Sequence, residues 1–242
     1  MIATADEKIL TIGGDVIELL NVFPIHPKFY LSPGVNMITS DVSGEKKISS
    51  WSYLNTPVIQ QTLSYQPTLL EDYHNGHDFV NFSGNSQFLI GDANVCSIDD
   101  TYHAFIVAAI FEQSGTGTRY IAAKGVDNFE TYNFGYTSAS AVMRGWVQAE
   151  GTSGITSNSS LKIFSYVIDR IYGKLTYRIN GITDVSVGQS VNNISSNDNF
   201  YLGIGNNGSS FPFRGKLGDF FLIDDPAQLE PVENYLMTKY AL

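Results

Sequence analysis

Apolar and polar residues alternate in short runs along most of the chain, and Gly, Asn, Asp, Ser and Pro separate the runs, as in strands joined by turns. Tyr102 to Phe111 (YHAFIVAAIF) is the clearest of them. It is apolar on both faces, which predicts a central strand of one sheet covered by another. Further strands are expected over Lys28 to Leu31, Lys47 to Leu54, Phe79 to Phe82, Arg119 to Lys124, Tyr132 to Tyr136, Val142 to Ala149, Leu161 to Asp169, Lys174 to Ile179 and Asn199 to Gly205. In Lys47 to Leu54, Trp51 and Tyr53 share a face, which is either buried or a platform for a ligand. Ser83-Gly84-Asn85 followed by Gln87 to Ile90 reads as a hairpin return onto Phe79 to Phe82. Asn180-Gly181 is the strongest hairpin turn in the sequence. Gln66-Pro67 to His77 reads as turn-rich, and Gln113 to Thr118 and Gly151 to Ser160 as polar loops.

The end of the chain changes period. Phe213 to Ile223 alternates Phe213, Gly215, Leu217, Asp219 and Phe221 against Arg214, Lys216, Gly218, Phe220 and Leu222, mixed at first and apolar on both faces near its end. Asp224, Asp225 and Pro226 stop this strand, and an Asp before Pro is a good helix start. Leu229, Val232, Leu236 and Tyr240 then recur at helical spacing, a stripe narrow enough to suit one short helix lying on a sheet. The expected fold is all-β: a two-sheet antiparallel jelly-roll sandwich with one short C-terminal helix near Ala227 to Lys239.

The start is less regular. Lys8 to Ile12 and Asp15 to Leu20 read as two short strands around Gly13-Gly14, and Pro24 and Pro27 break the pattern. Residues 1–27 are therefore either edge strands of the sandwich or an arm that docks on another subunit, and residues 28–242 form the jelly-roll domain.

Composition narrows the function classes. Hydrophobic residues make up 43% of the 242, enough for a core, whereas charged residues are only 16%. The net charge of -10 argues against nucleic acid and anionic membrane as partners, since phosphate binding needs a positive surface. A single cysteine, Cys96, excludes an intrachain disulfide and reads as a small packing residue. No signal peptide is recognised at the start, and no apolar run approaches the ~18 residues of a membrane span.

Four segments in order resemble the concanavalin A-like lectin/glucanase superfamily, specifically its laminin-G-like jelly rolls. Phe79-Val80-Asn81-Phe82-Ser83-Gly84 with Phe88-Leu89 resembles the early hairpin, and Phe105 to Phe111 with Tyr120 to Gly125 resembles the core strand and its successor. Leu175 to Gly181 (LTYRING) resembles the "Y-x-N-G" hairpin. Leu202 to Gly205, Phe213 to Asp219 and Glu233 to Tyr240 resemble the closing "I-G … F-x-G-x-[IL]-x-[DE] … YL-x-x-KY". Together they span roughly residues 78 to 242. The resemblance implies a concave sheet face, the usual carbohydrate-binding surface. It also implies a place in bacteriophage tail or virion proteins, through the terminal YL-x-x-KY helix.

Catalysis is not expected. The glucanases of the superfamily carry E-x-D-x-E or a close variant on one strand, and retaining hydrolysis needs two carboxyls ~5 Å apart. No such run occurs, and the adjacent pairs Glu71-Asp72 and Asp99-Asp100 point to opposite faces of a strand. His74-Asn75-Gly76-His77-Asp78 lacks a helix and a third ligand, so it reads as a solvated turn rather than a zinc site. No metal site is assigned, although Asp127-Asn128 and Asn206-Asn207 have the chemistry of calcium ligands. Sugars bind by aromatic stacking plus Asn, Asp and Arg hydrogen bonds. Arg144 and Trp146 share one pleat face and Tyr132, Phe134 and Tyr136 another, and one aromatic row belongs to the core. Arg144 and Trp146 are the expected concave-face carbohydrate residues, with Asn206, Asn207 and Phe211 on the rim. The expected function is a non-catalytic virion surface or tail fibre adhesin that attaches to a host glycan, as a homo-oligomer or with other virion proteins. The alternative is a purely structural capsid decoration or head-fibre protein.

Overall fold

The computed structural model describes residues 11–12, 15–16, 27–98, 103–111, 118–125, 132–136, 142–147, 149–156, 160–188, 197–205, 208 and 210–242. In chain order the strands are β1 (Thr11–Ile12), β2 (Asp15–Val16), β3 (Phe29–Leu31), β4 (Met37–Val42), β5 (Glu45–Tyr53), β6 (Thr56–Ile59), β7 (Thr68–His74), β8 (His77–Ser83), β9 (Leu89–Gly91), β10 (His103–Phe111), β11 (Arg119–Lys124), β12 (Tyr132–Tyr136), β13 (Val142–Val147), β14 (Ala149–Thr156), β15 (Lys162–Asp169), β16 (Lys174–Ile179), β17 (Ile182–Gly188), β18 (Phe200–Leu202) and β19 (Arg214–Ile223). A 3₁₀ turn (Pro226–Gln228) and the helix α1 (Leu229–Tyr240) follow.

Pairing sorts the strands into two layers, and every strand pairing is antiparallel. A seven-stranded layer runs β17-β16-β15-β10-β19-β8-β7, with β3 beside the far half of β19. A nine-stranded layer runs β14-β13-β12-β11-β18-β9-β6-β5-β4. Lys46 and Lys47 of β5 pair with Leu69 and Thr68 of β7 and join the layers along one edge. β1 and β2 form a separate pair, Thr11 opposite Val16 and Ile12 opposite Asp15, on either side of Gly13-Gly14. The rest of residues 1–26, and with it the expected docking arm, lies outside the described residues. The architecture is the expected all-β sandwich with one C-terminal helix.

The main core lies between the layers. Ala104, Ile106, Ala108 and Ile110 of β10, Phe164, Tyr166 and Ile168 of β15, and Leu175, Tyr177 and Ile179 of β16 meet Trp51, Val58, Leu89, Phe134, Phe200 and Leu202 of the other layer. The alternate residues of β10, Phe105, Val107 and Ala109, face outward into a second cluster with Phe79, Ile163, Phe221, Ile223 and the helix residues Leu229, Val232, Leu236 and Tyr240. β10 is thus the expected central strand covered by another sheet on one face, and its second apolar face is covered by α1.

Two of the β-bulges break the period-two reading of β19 and β5. Ala108 and Ile110 of β10 pair with Phe220 and Leu217, so two steps on β10 span three on β19. The extra residue, at Gly218-Asp219, moves Leu217, Phe220 and Leu222 onto the same inner face. The strict alternation expected for this strand therefore fails at its middle. In β5, Ile38 faces Ser50 and Thr39 faces Ile48, leaving Ser49 as the extra residue. This bulge puts Ile48 and Trp51 together in the core. The Trp51 indole donates to the Ser32 carbonyl at 3.0 Å, and Tyr53 packs edge-on against Phe29. Of the two readings left open for this aromatic face, burial is the one realised.

Other expectations are corrected by pairing. Gln66 to His77 is not a turn region: Thr68–His74 is a full strand, and Asn75 and Gly76, with φ of 51° and 77°, make a tight turn into β8. Gln87 to Ile90 does not return onto Phe79 to Phe82. β9 crosses to the other layer, between β18 and β6, and the crossing is fixed by the Ser83 amide donating to Gln87 Oε1 at 2.7 Å. The expected loop Gly151 to Ser160 contains most of β14, whose register on β13 compensates for its weak strand propensity. Asn180 and Gly181, with φ of 48° and 76°, form the expected two-residue hairpin between β16 and β17.

Candidate functional site

The C-terminal strand and helix hold the two fully buried carboxylates among the described residues, Asp219 and Glu233. Both already have partners. Asp219 is 0% exposed. It accepts from Tyr240 Oη at 2.7 Å, Tyr30 Oη at 3.0 Å and Lys239 Nζ at 2.8 Å. Its own amide donates to Tyr240 Oη at 3.1 Å. Burial pushes the Asp219 carboxyl up, but the Lys239 ammonium and the surrounding hydroxyl donors outweigh it and hold the carboxyl below its usual value. Burial also works against the charged form of Lys239, and Asp219 overcomes it, so the ammonium is held more tightly than usual. Gly218 makes room for this arrangement, since a Cβ there would stand 2.6 Å from Tyr240 Oη. Asp225 accepts from the Ala227 amide at 2.9 Å and caps the turn that leads into the helix.

Glu233 anchors the same helix further across the same layer, over β15 and β16. It receives Arg178 Nε and a terminal Arg178 nitrogen at 2.9 and 2.8 Å and the Ser165 hydroxyl at 2.6 Å. The hydrogen bonds that Arg178 donates to the Glu233 carboxylate hold the guanidinium charged beyond its ordinary range. A cleft of about 190 Å³ lies beside this pair, lined by Asn180, Gly181, Ile182, Glu230 and Met237. Both carboxylates are therefore committed to fastening α1, and neither is left as an acid or base facing a substrate. His74 and His77 face each other across the hairpin, and among the described residues no group of three or more His, Cys, Asp or Glu is gathered as a metal site.

The opposite side of the molecule is the outer face of the nine-stranded layer. There Ile59 pairs with Ile90, Ile90 with Tyr201, Tyr201 with Ala123, Ala123 with Asn133, Asn133 with Trp146 and Trp146 with Glu150. This continuous row crosses the sheet, roughly 24 Å from Ile59 to Trp146 at the usual strand spacing. Tyr132 and Phe134 lie in the inter-layer core. The pleat therefore places positions 133, 135, 144 and 146 on the face away from that core. Of the two aromatic rows, the one on β12 is the core row. Gly135 sits opposite Arg144 at the bulge of β11, where a Cβ would come within 1.9 Å of the Arg119 carbonyl. Arg144 and Trp146 thus share the outer face by register. Phe211 joins the same end of the sheet, its ring edge-on to Tyr120 at 5.2 Å and its carbonyl accepting the Tyr120 amide at 3.0 Å, and Tyr120 pairs with Gly135. Asn206 and Asn207, and the possible calcium ligands Asp127-Asn128, lie outside the described residues.

The sequence reading missed other residues of this face. Asn133 is 6% exposed, and its Oδ1 has no hydrogen-bond partner among the described residues. Phe88, Tyr201 and Ile204 form a small outer cluster with Ile90 packed against it. The available clue was that Asn133 alternates with Tyr132 and Phe134, a polar residue between two core rings. Cys96 lies in the core, and its carbonyl accepts the Tyr132 hydroxyl at 2.8 Å.

No family model matches this sequence, and no curated protein matches it. Solved structures do. The receptor-binding domain of botulinum neurotoxin mosaic serotype C/D is similar at TM-score 0.55 and 10% identity over 88% of this chain and 51% of that one. A structure of botulinum neurotoxin type C gives 0.52 at 16% identity over 78% and 51%. The CBM40 of Ruminococcus gnavus IT-sialidase, bound to α2,3-sialyllactose, gives 0.46 at 10% identity over 59% and 86%. The chain spans about half the length of the neurotoxin chains it resembles. At these identities the likeness concerns the fold, a β-sandwich shared with binding domains.

Proposed function

We propose that the chain is a non-catalytic glycan-recognition module that binds on the outer face of the nine-stranded layer. Asn133 carries the reading. An amide oxygen that is buried yet unpartnered costs stability unless something supplies a donor, and a sugar hydroxyl does so. Asn133 stands cross-strand to Trp146 on the face away from the core, so an amide acceptor and an indole-bearing position lie in one row. The fold supports the reading: botulinum neurotoxin type C depends on two ganglioside molecules. The commitment of Asp219 and Glu233 to the helix supports recognition without hydrolysis.

The module acts in many copies, as a virion surface or tail attachment protein that self-associates or joins other virion proteins, with a host-cell glycan as its target. One stacked ring contributes on the order of 1 kcal/mol, so a single site is weak and useful attachment comes from repetition. A glycan array probed with multimerised protein tests this. Binding is expected, and Trp146→Ala is expected to remove it while leaving the melting temperature unchanged within a few degrees. If multimerised protein binds no glycan, the reading fails and the chain is a structural virion component.

A further inference from the structure

A second set of rings lies on the outer face, at the end far from Trp146. Leu63–Tyr65 is a 3₁₀ turn fastened to the segment before β9. The Phe88 amide donates to the Tyr65 carbonyl at 3.0 Å, Gln60 Nε2 to the Phe88 carbonyl at 3.4 Å, Gln66 Nε2 to the Gln60 carbonyl at 2.8 Å, and the Thr62 amide to Gln60 Oε1 at 2.9 Å. This bracing fixes the Tyr65 ring before any ligand arrives. The ring stacks on Phe88 at 5.6 Å and 26°, and Phe88 leans on Tyr201 at 6.3 Å and 52°. Phe88 covers one face of Tyr65, yet the residue is still 42% exposed, which leaves the other face for a ligand. Leu63 and Ile59, 47% and 40% exposed, extend the apolar ledge.

We infer that Tyr65 is the stacking platform of a second subsite, which takes a neutral hexopyranoside. The inference rests on the glycan-recognition reading and adds to it a ligand class and a residue. A flat, pre-positioned ring with polar groups at its edge matches a pyranose, whose C–H face stacks while its hydroxyls hydrogen-bond. The polar edge is present. Gln66 Oε1, on the residue after Tyr65, has no partner among the described residues, and the polar side chains Asn199 and Asp198 both act on the Tyr201 hydroxyl. The charge decides between neutral and acidic sugars. Asp198 acts electrostatically on Tyr201, the ring on which Phe88 leans, and in a chain of net charge -10 such a carboxylate disfavours the carboxylate of a sialic acid.

The test is a glycan array carrying neutral hexosides (glucose, galactose, mannose and their N-acetyl forms) and sialylated glycans, probed with multimerised full chain. Neutral spots are expected to bind. Tyr65→Ala and Tyr65→Leu are expected to weaken binding about tenfold and Tyr65→Phe hardly at all. Tyr65→Leu keeps an apolar cover over Phe88, so it separates loss of stacking from loss of fold, and a thermal melt of each variant checks this. Binding confined to sialylated spots overturns the inference, as does undiminished binding by both Tyr65 variants. Wild-type binding that Trp146→Ala removes and Tyr65→Leu spares overturns the inference alone, whereas no binding to any spot overturns the glycan-recognition reading with it.

Discussion

The two outward faces of the sandwich are finished in opposite ways. The seven-stranded layer is closed by the chain's own helix, with an apolar stripe in the middle and a buried ion pair at each of two points, Asp219 with Lys239 and Glu233 with Arg178. The nine-stranded layer has no such cover among the described residues. Its outer cluster is three buried residues with Ile90 beside them, and it leaves Ile59, Leu63 and Tyr65 substantially exposed and Asn133 Oδ1 unpartnered. The helix face commits both its buried carboxylates to ion pairs and packs its apolar stripe, although the Gln228 amide at the helix start is buried without partners among the described residues; the other face leaves rings exposed and the Asn133 amide oxygen unpartnered. That asymmetry separates the side that holds the fold from the side that meets a ligand.

If this division is right, substitutions on the helix side act on stability and those on the other side on binding. The largest effect is expected from Asp219→Ala, which leaves a buried Lys239 and the Tyr30 and Tyr240 hydroxyls without their acceptor, at a cost of about 3–5 kcal/mol, read from urea denaturation. A loss under about 1 kcal/mol would show that the helix is held by its apolar stripe alone. Glu233→Ala should cost less, about 2–3 kcal/mol, because Arg178 keeps the Gly181 carbonyl as a partner at 2.7 Å. Acid should act through the first pair. The folded carboxyl of Asp219 lies below its ordinary value, so its contribution is present above pH ~4 and is lost as pH falls through the folded value. The urea midpoint of the wild type should therefore drop more steeply below pH ~4 than that of Asp219→Asn. Lys239 gives the mirror effect: its stabilisation holds below its unfolded value and fades as pH rises through the raised folded one. The smallest stability effect, under about 1 kcal/mol, is expected for Tyr65→Ala, whose measurable consequence is on binding.

Much of the fold was legible because its elements follow local rules. β10 is a long apolar run, Asn180-Gly181 is a turn whose residues tolerate positive φ, and Asp225-Pro226 followed by a 3.6-period stripe starts the helix. What was not legible depends on partners distant in sequence. The β19 bulge appears only once β10 is placed beside it, and β14 is a run of small and polar residues that is a strand because β13 is there. The closing "F-x-G-x-L-x-D … KY" pattern could be quoted but not explained. Its Asp219 and Tyr240 bond to each other, and the third partner, Tyr30, lies 189 residues away from Asp219. The site divides in the same way. The alternation of β12 and β13 was enough to put Arg144 and Trp146 on a shared face, but Tyr65 sits in a turn without periodicity, and only the stacking on Phe88 marks it out.

The pairing of β3 with β19, reinforced by Lys239 Nζ reaching Ser32 Oγ at 3.4 Å, has a consequence for biosynthesis. Phe29–Leu31 is translated well before its neighbours Phe220 to Leu222, which emerge only after nearly 190 further residues. The strand that closes the seven-stranded layer, and the helix that covers it, therefore cannot assemble on a nascent chain until translation has passed them. Until then the outward residues of β10 and β15 face water. Closing this layer is thus a late, long-range step of the kind that makes β-rich proteins slow to fold and prone to capture by chaperones.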